Sequence, residues 1–191
     1  MKYQVQSGWL SGVRRVPSPH CNSRPDNTEI DLLVVHSISL PPGQYGGSYI
    51  DEFFLGQLDI DAHPYFSEIA SLQVSAHMLI DRLGRVTQYV PLNHRAWHAG
   101  QSTFCGRDNC NDFSIGIELE GLDTDTFTEA QYDALTEVTV AIMDAFPAID
   151  KSRIAGHSEI APGRKLDPGP GFDWKLFLAK LDDLTGDAPL A

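Results

Sequence analysis

Ile30-Asp31-Leu32-Leu33-Val34-Val35-His36 is a short apolar run, partly β-branched, that closes on a histidine. Such a run reads as a buried strand, and Pro41-Pro42-Gly43 breaks the chain beyond it. His36 then stands where the strand ends, an edge from which side chains project into clefts. A second strand is expected over Phe113 to Glu120. There Phe113, Ile115, Ile117 and Leu119 share one face, with Gly116, Glu118 and Glu120 on the other. Val74 to Ile80 and Arg85 to Val90 read as two strands joined across Asp81-Arg82-Leu83-Gly84, a hairpin signal. Arg153-Ile154-Ala155-Gly156 is a fourth short candidate and leads into His157.

Helical signals lie between and after these strands. Ser48 to Leu58 carries Ile50, Phe53, Phe54 and Leu58 on one side. Thr128-Glu129-Ala130-Gln131 is a capping box. Tyr132, Leu135, Val138, Ile142 and Phe146 then keep helical period until Pro147. Asp173 caps a last helix with a stripe of Trp174, Phe177, Leu178 and Leu181. The segments around His63-Pro64-Tyr65 and over Arg95 to Asn111 read as loops. Interleaved strands and helices with at least one hairpin define an α/β chain, a mixed central β-sheet flanked by helices. Its 191 residues suit one domain over 1–191, with an irregular lead-in over 1–29 and a frayed tail over about 185–191.

The net charge of −12 argues against a nucleic-acid partner, which needs a Lys/Arg surface. No stretch approaches the ~18 apolar residues of a membrane span. Met1 to Gln6 has no apolar run behind its lysine, and Cys21, Cys105 and Cys110 form neither an even set nor a CxxC pair. Both features point to a reducing cytoplasm and three ordinary thiols.

Two strand-end histidines and an acid suggest a metal. Asp167 follows His157 by ten residues, in Arg164-Lys165-Leu166-Asp167-Pro168-Gly169-Pro170, where Pro168 and the glycines hold a non-helical loop. Two imidazoles and one carboxylate are a common set for catalytic zinc, with a fourth place open for water. The plainer alternative is that each histidine is structural, since the long gap from His36 to His157 matches no short metal-binding spacing. Of the other histidines, His20 lies in the lead-in, His77 reads as a hydrogen-bonded core residue, and His63 is in a loop. His94 and His98 flank Trp97, which is either a packing residue or a cleft wall for a sugar or peptide.

Hydrolysis also needs a base and a donor for the oxyanion. Glu118 and Glu120 share a strand face; each is a candidate base, or both sit on an exposed face. Lys165 stands two residues before Asp167 and on an extended segment faces the same way. It either meets developing negative charge or is a solvated loop lysine.

These segments together resemble the AmpD-type anhydro-N-acetylmuramoyl-L-alanine amidases. The resemblance is carried by Leu32-Leu33-Val34-Val35-His36 with Ile38-Ser39-Leu40-Pro41-Pro42-Gly43, by Ala62-His63-Pro64-Tyr65-Phe66, and by Val74-Ser75-Ala76-His77. Arg95-Ala96-Trp97-His98-Ala99-Gly100, Cys110 through Gly121, and Gly156-His157 through Asp167-Pro168-Gly169 extend it. It spans about Gly8 to Trp174 and implies the fold of phage amidases and peptidoglycan-recognition proteins. It further implies Zn2+ on His36, His157 and Asp167, Glu118 rather than Glu120 as the base, and Lys165 as the group that steadies the tetrahedral intermediate. The implied substrate is a small cytoplasmic muropeptide met in peptidoglycan recycling. The bond cut joins the lactyl carbonyl of 1,6-anhydro-N-acetylmuramic acid to L-Ala. Ser37, Trp97, His98 and Arg107 are the expected substrate contacts, and a monomer is expected.

Ser37 departs from the family's usual Asn, Gln73 and Asn109 from arginines, and Gly163 from a Glu. None is an implied zinc ligand, so the departures bear on substrate preference rather than chemistry. Two other classes are consistent with the resemblance: a non-catalytic peptidoglycan-binding module and an exported wall amidase. Loss of a zinc ligand would mark the first and a signal peptide the second.

Overall fold

The expected strands pair into one sheet in a computed structural model that describes residues 2–186. They are β1 (Arg14–Arg15), β2 (Leu32–Ile38), β3 (Met78–Ile80), β4 (Val86–Gln88), β5 (Ser114–Glu120) and β6 (Ile154–Gly156). The order across the sheet is β6-β2-β5-β3-β4-β1. The four strands β6, β2, β5 and β3 run parallel, and β4 is antiparallel to β3, so the sheet is mixed as expected. The helices are α1 (Tyr49–Phe54), α2 (Phe66–Ile69), α3 (Glu129–Ala145), α4 (His157–Ile160) and α5 (Trp174–Thr185).

Alternation along the strands divides the molecule into two sides. Leu33 and Val35 of β2 and Ile115, Ile117 and Leu119 of β5 pack beneath Tyr132, Leu135, Val138 and Ile142 of α3 and Phe177 and Leu181 of α5. Burying that many large apolar groups, at about 1.5–3 kcal/mol each, is the main force holding the helices on the sheet. Gln131 closes the capping box with Thr128 and also donates to the Ile80 and Glu120 carbonyls, which ties the start of α3 to the ends of β3 and β5. On the opposite side, Leu32 and Val34 pack with Ala99, Cys110 and Ile160. Ile50, Phe53 and Phe54 of α1 form a separate cluster with Phe66 and Tyr89.

Several boundaries differ from expectation. β2 does not stop at His36; it runs to Ile38 because β5 continues beside it, Ser37 opposite Leu119 and Ile38 opposite Glu120. The strand expected from Val74 is regular only from Met78. Just before it, Gly116 N donates to His77 Nδ1 at 3.0 Å, so an imidazole takes the place of a strand carbonyl. The lead-in is more ordered than its composition suggests: Cys21–Ser23 pairs with His94–Ala96, and Arg14–Arg15 joins the sheet edge. The buried Arg24 guanidinium anchors it by donating to the carbonyls of Leu92, Asn111, Asp112 and Ser114. At the other end α5 continues through Leu184 to Thr185 and closes on Gly186 at φ 72°, a left-handed C-cap that glycine accepts without strain. The expected frayed tail therefore begins no earlier than Gly186, and its remainder, 187–191, lies outside the described residues. No helix among the described residues is long and apolar enough to cross a membrane.

Candidate metal centre

Strand register builds the centre. Glu118 of β5 lies opposite His36 of β2, and Gly156 of β6 lies opposite Val35. His157, the next residue, thus comes level with His36. Level residues on parallel neighbours face the same side of a sheet, so His157, His36 and Glu118 form a row across three strands. The row lies on the side away from α3 and α5. Packing on both sides accounts for its burial: Glu118 is 9% exposed and Glu120 3%, which removes the exposed-face alternative for both acids.

The third donor arrives from the loop after α4. Ser158 N donates to the Asp167 carbonyl at 2.9 Å, holding that loop against the helix. Gly169, at φ +81°, packs so closely on the 123–125 loop that a Cβ would lie 1.9 Å from the Asp123 carbonyl oxygen. Gly169→Ala is therefore expected to cost more than ~1 kcal/mol of stability through both clash and strain. It should also weaken metal binding by moving Asp167; thermal melting and metal titration of the variant measure the two effects.

His36 Nδ1, His157 Nδ1 and Asp167 Oδ2 converge in a triangle with sides of 2.9, 3.1 and 3.0 Å. Around a tetrahedral zinc with ligand bonds of ~2.0–2.1 Å, donors stand roughly 3.3 Å apart, so the set fits with a small adjustment. It is the only group of three metal-capable side chains brought this close among the described residues. Burial pushes the His36 imidazole down to about 4, against the opposing pull of Asp167, which leaves it neutral at pH 7 and able to bind a cation. Burial pushes Asp167 up, but the hydrogen bonds from His157 and His36 outweigh it and keep the carboxylate ionised. Glu118 moves the other way: burial first, then the Asp167 charge, hold it well above the ordinary carboxylate range, while Lys165 opposes them. Its Oε2 is buried and has no hydrogen-bond partner among the described residues.

A cleft of about 490 Å3 opens over the triangle. Ser37, Trp97, His98, Glu118 and Lys165 line it. Of these, His98 has both ring nitrogens engaged, Nδ1 2.9 Å from His36 Nε2 and Nε2 3.2 Å from Ser114 Oγ. Trp97 is both wall and packing residue: it stacks on His20 and donates from Nε1 to Asn22 Oδ1 at 2.8 Å. Arg107 is not brought to the cleft. It donates to Asp31 Oδ2 at 2.7 Å and lies over the Phe113 ring. Glu120 is occupied too, accepting from Gly46 N and Arg82 N, so it pins two loops and leaves Glu118 as the uncommitted acid. Sequence reasoning missed Leu72, Leu122 and Leu166, apolar groups on the cleft walls. Leu72 and Leu166 are 49% and 70% exposed, and nothing in the periodicity of a loop distinguishes such residues.

Two histidines and an aspartate around an open position, with a free buried carboxylate alongside, are the furnishings of a metal-dependent hydrolase. The family model described as N-acetylmuramoyl-L-alanine amidase matches residues 26–170. The chain belongs to that family of enzymes. It is similar to the 1,6-anhydro-N-acetylmuramyl-L-alanine amidase AmpD of Escherichia coli strain K12, at 59% identity over 91% of this chain and 94% of that one. A crystal structure of a selenomethionine AmpD derivative superposes with a TM-score of 0.90 at 57% identity, covering 93% of this chain and 98% of that chain. The Escherichia coli amidase AmiD, solved with anhydro-N-acetylmuramic acid-L-Ala-D-γ-Glu-L-Lys, gives a TM-score of 0.58 at 27% identity, covering 94% and 65%.

Proposed function

We propose that this chain hydrolyses the amide between the lactyl group of 1,6-anhydro-N-acetylmuramic acid and L-Ala, with zinc on His36, His157 and Asp167. It acts as a monomer on small muropeptides in cytoplasmic peptidoglycan recycling. One observation carries the reading: the unpartnered Glu118 carboxylate stands level with His36, beside the three donors. Relatives over 90% of the chain that carry the same activity in their names support the choice of substrate.

Bound zinc would activate water and polarise the scissile carbonyl, and its charge would offset the repulsion between Asp167 and Glu118. Glu118 takes the proton of the attacking water. Its raised pKa suits it to hold that proton and pass it to the leaving L-Ala nitrogen. Lys165, on the cleft wall, offsets negative charge growing on the carbonyl oxygen. Trp97 and the apolar groups around it exclude water from the sugar face.

Mass analysis of an anhydro-muropeptide digest, with and without chelator, tests the reading. Peptide beginning at L-Ala should appear only without chelator; an uncut substrate in both arms would refute it. The departures at Gln73 and Asn109, both exposed, remove two positive charges expected near peptide carboxylates. The rates on anhydro and reducing-end muropeptides are therefore expected to lie within roughly tenfold, ~1.4 kcal/mol in barrier. A preference far above that would defeat the idea.

A further inference from the structure

Both histidines of the triangle turn their outer ring nitrogens toward one short loop. His157 Nε2 lies 3.1 Å from the Ala99 carbonyl. His36 Nε2 lies 2.9 Å from His98 Nδ1, the two rings edge to face at 89°. A single side chain fixes the loop: Asn111 Oδ1 accepts from His98 N at 3.0 Å and from Ala99 N at 2.8 Å. The far side of the His98 ring rests on β5, where a Cβ at Gly116 would come within 2.5 Å of it, so only glycine leaves room. Its Nε2 meets Ser114 Oγ at 3.2 Å.

A cation on the two Nδ1 atoms would select the proton positions in these contacts. A neutral His36 that offers Nδ1 to a cation carries its proton on Nε2, and that N–H needs an acceptor. The neighbour in reach is His98 Nδ1. Accepting there requires His98 to carry its own proton on Nε2, where the Ser114 hydroxyl oxygen can receive it. His157 solves the same problem with a backbone carbonyl. We propose that His98, seated on Gly116 and held by Asn111, is a positioning residue that fixes the tautomer and ring angle of His36 for metal binding. It thereby acts on zinc affinity and turnover more than on substrate affinity. The proposal rests on the zinc reading of His36.

The test compares His98→Asn, whose amide oxygen occupies the place of Nδ1, with His98→Gln, which reaches the place of Nε2, and with His98→Ala. Zinc affinity is read by chelator competition, and kcat and KM are read on a muropeptide at saturating zinc. Melting without metal confirms that each variant folds, and the near-isosteric Asn and Gln pair decides the matter should the alanine variant not fold. His98→Ala and His98→Gln should lose about 10–100-fold in zinc affinity, with kcat lowered and KM changed less than ~3-fold. His98→Asn should keep zinc affinity within ~3-fold of the parent. Long-range 15N correlation in the zinc-loaded parent should place the His36 proton on Nε2. Unchanged affinity in His98→Ala, equal losses in the Asn and Gln variants, or a His36 proton on Nδ1 would each overturn the proposal. His36→Ala separates the two levels. If the parent binds zinc and His36→Ala does not, the zinc reading stands whatever His98 does; a parent that binds no zinc overturns both.

Discussion

Glu118→Gln should retain zinc and lose turnover by on the order of 10²–10⁴-fold, the range of a general acid–base group. The exchange keeps size and shape, and the position is enclosed by the sheet, so the fold should be undisturbed. The carboxylate makes no hydrogen bond through Oε2 that the folded state depends on. Neutralising it also removes a buried acid that Asp167 repels, so the metal-free variant should melt no lower than the parent. KM should move little, since the lost interaction is with the proton in flight. Turnover near the parental level, at parental zinc content, would remove Glu118 from the chemistry. Glu120→Gln gives the contrast: its acceptors hold Gly46 and Arg82, so the expected deficit is in stability rather than kcat.

Taking away the metal should have the larger consequence. Lewis-acid activation is worth several kcal/mol, so chelation is expected to lower activity by about 10³-fold or more. Added zinc should restore it. Asp167→Ala should be equally inactive and should not be rescued, because it deletes the one anionic donor. The same ion should stabilise the fold by mass action, about 4 kcal/mol when free zinc is 1,000 times its Kd. Melting with and without zinc reads this independently of turnover. The gain should vanish in Asp167→Ala, and an undiminished gain there would place the ion elsewhere.

Elements with strong periodicity were legible in the sequence. β2 and β5 announce themselves by dense β-branched and alternating apolar residues, and α3 by a capping box that forms as expected. Less legible was anything that depends on a partner far along the chain. α2 and α4 are single turns, too short for a hydrophobic period to register. The Arg24 anchor works through four carbonyls that no local pattern reveals. In the centre, residue chemistry alone left the triad and the choice between Glu118 and Glu120 open, because register is a property of two strands together. Family resemblance chose Glu118, and the register sets Glu118, not Glu120, opposite His36. Arg107 reads as a substrate contact from its charge, yet Asp31 claims it. Gly116 was a usable clue: a glycine inside an apolar strand marks a close approach, here the His98 ring.

The row of residues across β6, β2 and β5 has a bearing on biosynthesis. Its members come from positions 36, 118 and 157, and the anionic donor from 167. A chain still emerging holds His36 alone until the 157–167 segment is made, and all three donors meet only once β6 has docked beside β2. Because a one-residue slip of a strand turns its side chains to the other face, a slipped β2 would turn His36 away from the other two donors. If the centre takes up zinc as proposed, tight binding would report that β6 and β2 have paired in register.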